Sequence, residues 1–311
     1  MLRFDHAGEA LDTVEVLRII ATPQTLRAAA VVAPGTFDTE YIDELWRYTR
    51  GFELAPEGVE LARARIAESL DEHFALVERE ARAGAELIVW AEANLSLTQT
   101  EETDWLERAQ RVARTESIYL GMGATVFRPE TREPTINTLV LIEPDGEIAW
   151  RFLKATRVPG SGNLEGDGVL PRLDTGYGRW SAAICFDLDF PRLIRQAGRM
   201  NADLFLAPSN DWDEVREMHL RMHILRAVEQ GFTLFRPTKD GISAAADPYG
   251  RILARLDTAI SPDAVMVVNL PVRGVTTIYS RIGDAFSWVC TAAFFGLLFA
   301  LKRRRAGDPS E

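Results

Sequence analysis

Apolar positions along this chain fall into short runs separated by longer amphipathic stretches. Within 61–83, Ile66, Leu70, Phe74 and Val77 recur at steps of four, four and three among Glu, Arg and Asp, the spacing of one helix face. Leu87 to Trp90 follows as a fully apolar run, which predicts a strand buried on both faces. A second helix is predicted over 102–114 and a second strand over 118–127. A hairpin comes next, with strands at 137–143 and 147–153 around Pro144-Asp145-Gly146. Further strands are predicted at 180–184, 204–207 and 231–236, with a helix over 213–229. Residues 242–256 repeat the hairpin pattern around Asp247-Pro-Tyr-Gly250, and 264–270 closes the series. Strands and helices mixed in this way make an α/β domain with mixed sheets over 25–273, preceded by an extension at 1–24.

One segment breaks the pattern. Residues 285–301 (AFSWVCTAAFFGLLFAL) carry no charge and are followed by Lys302-Arg303-Arg304-Arg305. Its seventeen residues are just enough to cross a bilayer, for which about 17–25 are needed. The basic flank and Trp288 favour a membrane helix over a buried soluble one. The expected layout is therefore a linker at 274–284, a transmembrane helix at 285–301 and a basic tail at 302–311. The positive-inside rule keeps that tail cytoplasmic and puts the α/β domain on the outer side. No export signal is recognisable in the first 284 residues, so the expectation is that membrane segments upstream of this sequence set the orientation; a tail-anchored cytoplasmic domain is the alternative.

Among the 311 residues, 35 basic and 46 acidic side chains give a net charge of −11, which disfavours nucleic acid as a partner. At 47% hydrophobic residues a core is readily built. Only Cys185 and Cys290 are present, so no disulfide framework or CxxC metal knuckle can be drawn.

Three polar residues stand directly after apolar strand-like runs: Glu92 after LIVWA, Lys154 after IAWRFL and Cys185 after WSAAI. Strand ends in α/β sheets are where sites collect. Singly, each has a bland explanation, a core thiol above all. Together they supply a nucleophile, a partly desolvated carboxylate base and a cation for a tetrahedral oxyanion, with the backbone N–H of Phe186 as a second donor.

The segments VWAE ending at Glu92, FLK ending at Lys154 and AAICFD around Cys185 resemble the Glu-Lys-Cys triad of the nitrilase (carbon–nitrogen hydrolase) superfamily. That resemblance implies a four-layer α-β-β-α sandwich and thioester chemistry with no cofactor or metal. Within the superfamily the chain is most similar to the apolipoprotein N-acyltransferases, through PSNDWDE with Asn210 and Trp212, LRAVEQG, and TTIYSRIGDAF leading into the apolar run. The implied function is a membrane-anchored N-acyltransferase. Cys185 would take a fatty acyl group from a phospholipid and pass it to the N-terminal amine of an apolipoprotein, with Glu92 moving the protons. Alternatives are an amidase or nitrile hydrolase with water as acceptor, and a catalytically idle partner of a separately encoded membrane domain.

The sequence departs from the acyltransferase pattern at Phe186-Asp187, where Tyr-Glu is usual, and in the position of a second glutamate. Glu165 is the nearest acidic residue after Lys154, and is expected to orient that lysine or the substrate. Asn210 and Trp212 are further accessory candidates. His219 and His223 stand four apart, but HLRMH lacks the glutamate of a zincin and shows no third ligand, so surface or packing roles are expected. Asn94-Leu-Ser96 matches a glycosylation sequon, and Cys290, inside the apolar run, is expected to be structural.

Overall fold

Two β-sheets lie back to back in the computed structural model, which describes residues 24–32, 56–128, 133–261 and 265–306. The first sheet contains β1 (Thr25–Val31), β2 (Leu87–Trp90), β3 (Leu95–Thr98), β4 (Tyr119–Phe127), β5 (Ile136–Ile142), β6 (Ile148–Leu153) and β15 (Met266–Pro271). Its order is β15-β1-β2-β4-β5-β6, with β3 paired to β4. The second contains β7 (Leu173–Thr175), β8 (Gly178–Ala182), β9 (Leu204–Leu206), β11 (Thr233–Arg236), β13 (Ile242–Ala246) and β14 (Ile252–Asp257), in the order β14-β13-β11-β9-β8-β7. β10 (Ser209–Asn210) and β12 (Thr238–Lys239) form a separate parallel pair.

Side-chain alternation along each strand builds the layers. Leu26, Ala28, Ala30, Leu87 and Val89 join Trp180, Ala182, Leu204 and Leu206 in the core between the sheets. Their neighbours Ala29, Val31, Ile88 and Trp90 face outward, packing with Ile66, Phe74 and Val77 of α1 (Pro56–Arg82) and Trp105 and Ala109 of α2 (Glu102–Glu116). On the far side, Ile194 and Ala197 of α3 (Pro191–Arg199) and Ala227 of α4 (Arg216–Gln230) cover the second sheet. The result is an α-β-β-α sandwich. It explains why the run from Leu87 to Trp90 is apolar at every position: each face meets a different core.

The sequence pattern does not show β3, β7, the β10/β12 pair or α3, all shorter than ten residues and too brief to display a period. Two predicted strands are trimmed for a local reason. The strand expected to reach residue 184 ends at Ala182, before Cys185 takes a positive φ of 47°. Gly231, at φ 81°, caps α4 in the left-handed region and delays β11 to Thr233.

After β15 the short helix α5 (Ile278–Ile282) is capped by Thr277, whose Oγ1 accepts the Ser280 N–H at 3.0 Å. It leads through Gly283 into α6 (Ala285–Ala306). Residues 285–303 have a mean hydropathy of 1.7 and none of this stretch is buried, with Phe286, Trp288, Phe294, Phe295 and Phe299 all in the open. α6 is thus one helix long and apolar enough to cross a membrane.

β4 passes close beneath the exit of β2, and Gly123 makes the crossing possible. A Cβ there would lie 2.0 Å from the Ala91 carbonyl oxygen and 3.1 Å from the Glu92 Cα. Gly123→Ala is therefore expected to destabilise the fold by about 2 kcal/mol, lowering the thermal midpoint by roughly 4–8 °C. Gly176→Ala, with no atom within 4 Å of the added methyl, should leave it unchanged in the same thermal scan.

Candidate active site

Glu92 follows β2, Lys154 follows β6 and Cys185 follows β8, and the sheets bring the three ends together. Glu92 and Lys154 are only 4% and 3% exposed. Lys154 Nζ lies 2.5 Å from Glu92 Oε1, and Asn137 Nδ2 donates to the same oxygen at 2.8 Å. Glu92 Oε2 accepts the Asn210 N–H at 2.9 Å. The carbonyl of that residue faces the thiol, accepting from Cys185 Sγ at 3.6 Å. The backbone of Asn210 is thus the bridge between carboxylate and thiol.

Local structure explains how each group is presented. The β5–β6 register pairs Thr138 with Leu153, so the next residues outward, Asn137 within β5 and Lys154 just past β6, lie side by side; the Lys154 N–H donates to the Asn137 carbonyl at 2.9 Å. Cys185 opens a 3-10 turn, Cys185–Asp189, from a left-handed backbone that costs a non-glycine residue about 1–2 kcal/mol. Its N–H is held by the Pro208 carbonyl at 2.9 Å. Asp187 supports the same turn: its carboxylate accepts N–H groups from Ile184 at 3.1 Å, Ala155 at 3.2 Å and Thr156 at 2.7 Å. One buried side chain therefore fastens the Cys185 turn to the segment that follows Lys154.

The electrostatics divide these groups. Burial, and next the charge of Glu92, push the Cys185 thiol well above its ordinary value, with Lys154 acting against them. Burial favours neutral Lys154, but the charge and hydrogen bond of Glu92 work against it, and the ammonium is held above the usual lysine value. The resting pair is thus a neutral thiol beside a fixed cation. Burial also raises the Asp187 carboxyl, to about 6, against the N–H groups that favour its charged form.

The accessory candidates separate. The Asn210 side chain plays no part in the bridge described above, which its backbone makes. Trp212 is 55% exposed. Glu165 is also exposed and pairs with Arg157 at 3.6 Å rather than with Lys154; it is the neighbouring Gly166 whose N–H reaches the Lys154 carbonyl, at 2.9 Å. Phe186 packs edge-on against Phe190, with ring centroids 5.1 Å apart. Cys290 is exposed on α6, far from any packing role within the domain.

His219 and His223 are not surface residues. Both are buried, in a network behind Cys185. His219 lies with Nδ1 2.7 Å from Asp211 and Nε2 3.1 Å from Asp189. Arg236, fully buried, donates to both Asp211 oxygens at 3.0 and 2.8 Å and to His223 Nδ1 at 2.8 Å. The third group missing from HLRMH is thus supplied by other elements. Cys185, Asp211 and His219 are close enough to surround an ion, as are Asp189, His219 and His223. The donor set argues against one: both groupings use His219, whose two nitrogens already face carboxylates, so a metal would have to break one of these bonds. Asn94 is likewise fully buried, 2.6 Å from His73 Nε2, which puts the sequon out of reach of modification.

Comparisons with known proteins agree with this architecture. The carbon–nitrogen hydrolase family profile matches residues 57–276. An apolipoprotein N-acyltransferase from Geobacter metallireducens is 27% identical over 274 residues, covering 76% of this chain and 52% of that protein. One from Haemophilus influenzae is 26% identical over 252 residues, 71% of this chain and 48% of that protein. The chain spans about half the length of these curated relatives. Among solved structures, an amidase from Nesterenkonia sp. superposes with a TM-score of 0.61 at 21% identity, over 86% of this chain and 97% of that one. A carbon–nitrogen hydrolase from Helicobacter pylori gives 0.58 at 15% identity, over 67% and 85%. With two sheets sandwiched between helices and a family match across most of its length, the chain belongs to the carbon–nitrogen hydrolase family.

Proposed function

We propose that this chain is a membrane-anchored N-acyltransferase that carries a fatty acyl group as a thioester on Cys185. The observation that carries the reading is the buried Glu92–Lys154 pair, linked through Asn210 to the Cys185 sulfur. Its support as an acyltransferase comes from the relatives of that name and from α6, an apolar helix without cover. The amidase reading, with water in place of the amine, draws on the Nesterenkonia fold neighbour.

The chemistry follows from the resting charges. Because burial keeps the thiol neutral, its proton leaves as the sulfur attacks, and Glu92 takes it. The new C–S bond turns the ester carbonyl of a phospholipid into an oxyanion, stabilised by the Lys154 ammonium and the Phe186 N–H. Collapse breaks the C–O bond, the departing alcohol takes the proton from Glu92, and a lysophospholipid leaves. The N-terminal amine of an apolipoprotein then attacks the thioester; Glu92 accepts an amine proton and returns it to the sulfur as the C–S bond breaks.

Incubation with phospholipid vesicles should add one fatty acyl mass to the peptide containing Cys185, and Cys185→Ala should add none while melting within a few degrees of the parent. A short acyl adduct from small amides and none from phospholipid would establish the amidase instead.

Glu92→Gln should slow thioester formation about 10²–10⁴-fold and Lys154→Met about 10²–10³-fold. Lys154→Met should also cost roughly 3–5 kcal/mol of stability by leaving a buried carboxylate unpaired. The double variant should regain most of that stability in denaturant titration and none of the activity.

The acid limb of the activity profile should lie near pH 6, where Asp187 gains a proton. Above it the carboxylate accepts all three N–H groups. Below it one oxygen becomes a donor, and the turn carrying Cys185 loosens. Asp187→Asn should lower activity and abolish this limb in a pH–rate series.

A further inference from the structure

The network behind the nucleophile contains more charge than the fold requires. His219 sits on α4 with a carboxylate at each ring nitrogen, Asp211 at 2.7 Å and Asp189 at 3.1 Å. A neutral imidazole has one N–H and one lone pair, and a lone pair facing a carboxylate oxygen is repulsive. Both nitrogens therefore carry hydrogen, and the ring is a cation. Its surroundings agree: burial favours the neutral ring, but the two carboxylates outweigh it and raise the group to about 9.

The other groups facing the ring leave it alone in this role. From the same helix, His223 accepts the Arg236 Nε–H on Nδ1 at 2.8 Å; burial and the Arg236 charge hold it well below its usual value, so it is neutral. Arg226 is turned away, donating to the Leu188 carbonyl at 3.2 Å and paired with Glu229. From β11, Arg236 neutralises Asp211. Asp189 is then balanced by His219 alone among these residues. Cys185 Sγ, an Asp211 oxygen and a His219 nitrogen all lie within 4.8 Å of one another, and the Asp211 charge is one of the forces that raise the thiol.

We propose that His219 is a positioning residue for the nucleophile: its imidazolium ties the Cys185 turn, through Asp189, to the Asn210–Asp211 segment, and cancels the negative charge these carboxylates place beside the sulfur. The proposal rests on Cys185 being the nucleophile but not on the acyl donor. Asp189 ends the turn that Cys185 begins, and Asp211 follows the residue whose backbone joins Cys185 to Glu92. His219 thus joins the two segments whose separation sets the approach of thiol and base.

Iodoacetamide, which reacts with thiolate and needs no acyl donor, provides the test, with alkylation followed on the Cys185 peptide so that Cys290 does not interfere. His219→Gln should slow alkylation about tenfold at pH 7.5, through an upward shift of the rate midpoint of about one pH unit. In the His219→Gln/Asp189→Asn double variant, which removes the uncompensated charge, the midpoint should return most of the way to the parent value. A packing role alone would lower the thermal midpoint in both variants and leave the alkylation midpoint unmoved, and that result overturns the proposal. Should His219→Gln not fold, nitrogen-15 NMR of the parent decides: two protonated ring nitrogens at pH 7 are expected, and a neutral ring overturns the proposal. Normal alkylation without any acyl transfer would reject the acyltransferase reading and leave the role of His219 standing.

Discussion

The buried ion pair of Glu92 and Lys154 governs much of what surrounds it. Taking either charge out of water costs several kcal/mol, and the pair is tolerable only when each partner has the other and further hydrogen bonds besides. β2 and β6, which carry these residues outward, are separated in the sheet by β4 and β5. At about 4.8 Å per strand that is some 14 Å of sheet. The gap is closed from three directions. Glu92 leans back over β4, where Gly123 offers no side chain to obstruct it; Asn137 rises from β5; and the long Lys154 side chain reaches in from β6. The β10/β12 pair adds the Asn210 N–H. The pair is therefore satisfied only in the assembled sandwich.

The same constraint shapes the setting of Cys185. A thiol in a dry site prefers to keep its proton, so the site cannot store a thiolate at rest; it stores geometry. The left-handed backbone at Cys185, the Asp187 carboxylate gathering three N–H groups, and the Asp189–His219–Asp211–Arg236 chain all fix the turn in place. Strain of this kind persists when its surroundings over-determine the conformation. In that chain, two carboxylates meet two cations, so the wall behind the sulfur is neutral overall although every member is charged.

How much of this can be read in the sequence depends on whether a residue's role is set by its neighbours in the chain or by partners far from it. Glu92, Lys154 and Cys185 are legible because each interrupts an apolar run at a strand end, and the two long amphipathic helices and both hairpins are legible from period alone. Asp187 stands two residues after Cys185, a position the sequence marks only as a departure from Tyr-Glu. Asn137 becomes informative only once the hairpin register sets it beside Lys154. Asp211, His219 and Arg236 are hidden for a deeper reason. A helix reading REMHLRMH looks solvated, since buried charge is normally excluded, and nothing local reveals that a carboxylate on one loop and an arginine on another strand satisfy it. Glu165 illustrates the reverse case: proximity in sequence to Lys154 suggested a shared role, while its side chain pairs with Arg157 at the surface.

α4 connects the site to the apolar helix. Near its amino end it carries His219; at its carboxyl end the Glu229 carbonyl accepts from Thr277 Oγ1, the cap of α5. Arg195 of α3 adds a second fastening: its Nη2 donates to the Arg281 carbonyl at 3.1 Å, and its guanidinium lies where a Cβ on Gly283 would be, 2.1 Å from Nη1. The base of α6 is thus bolted to the domain. On the proposed reading this ties the domain that holds the site to the helix in the bilayer. Ten residues of α4 separate His219 from Glu229, about 15 Å at 1.5 Å per residue. The headgroup layer is thinner than that, roughly 5–8 Å on each side of the hydrocarbon. On the proposed reading, and with α4 standing along the bilayer normal, an acyl ester reacting at Cys185 would have to be drawn out of its layer. The energy for that extraction would come from burying the acyl chain against protein, which places the specificity for the donor in the walls around Cys185 and leaves the ion pair free to serve chemistry alone.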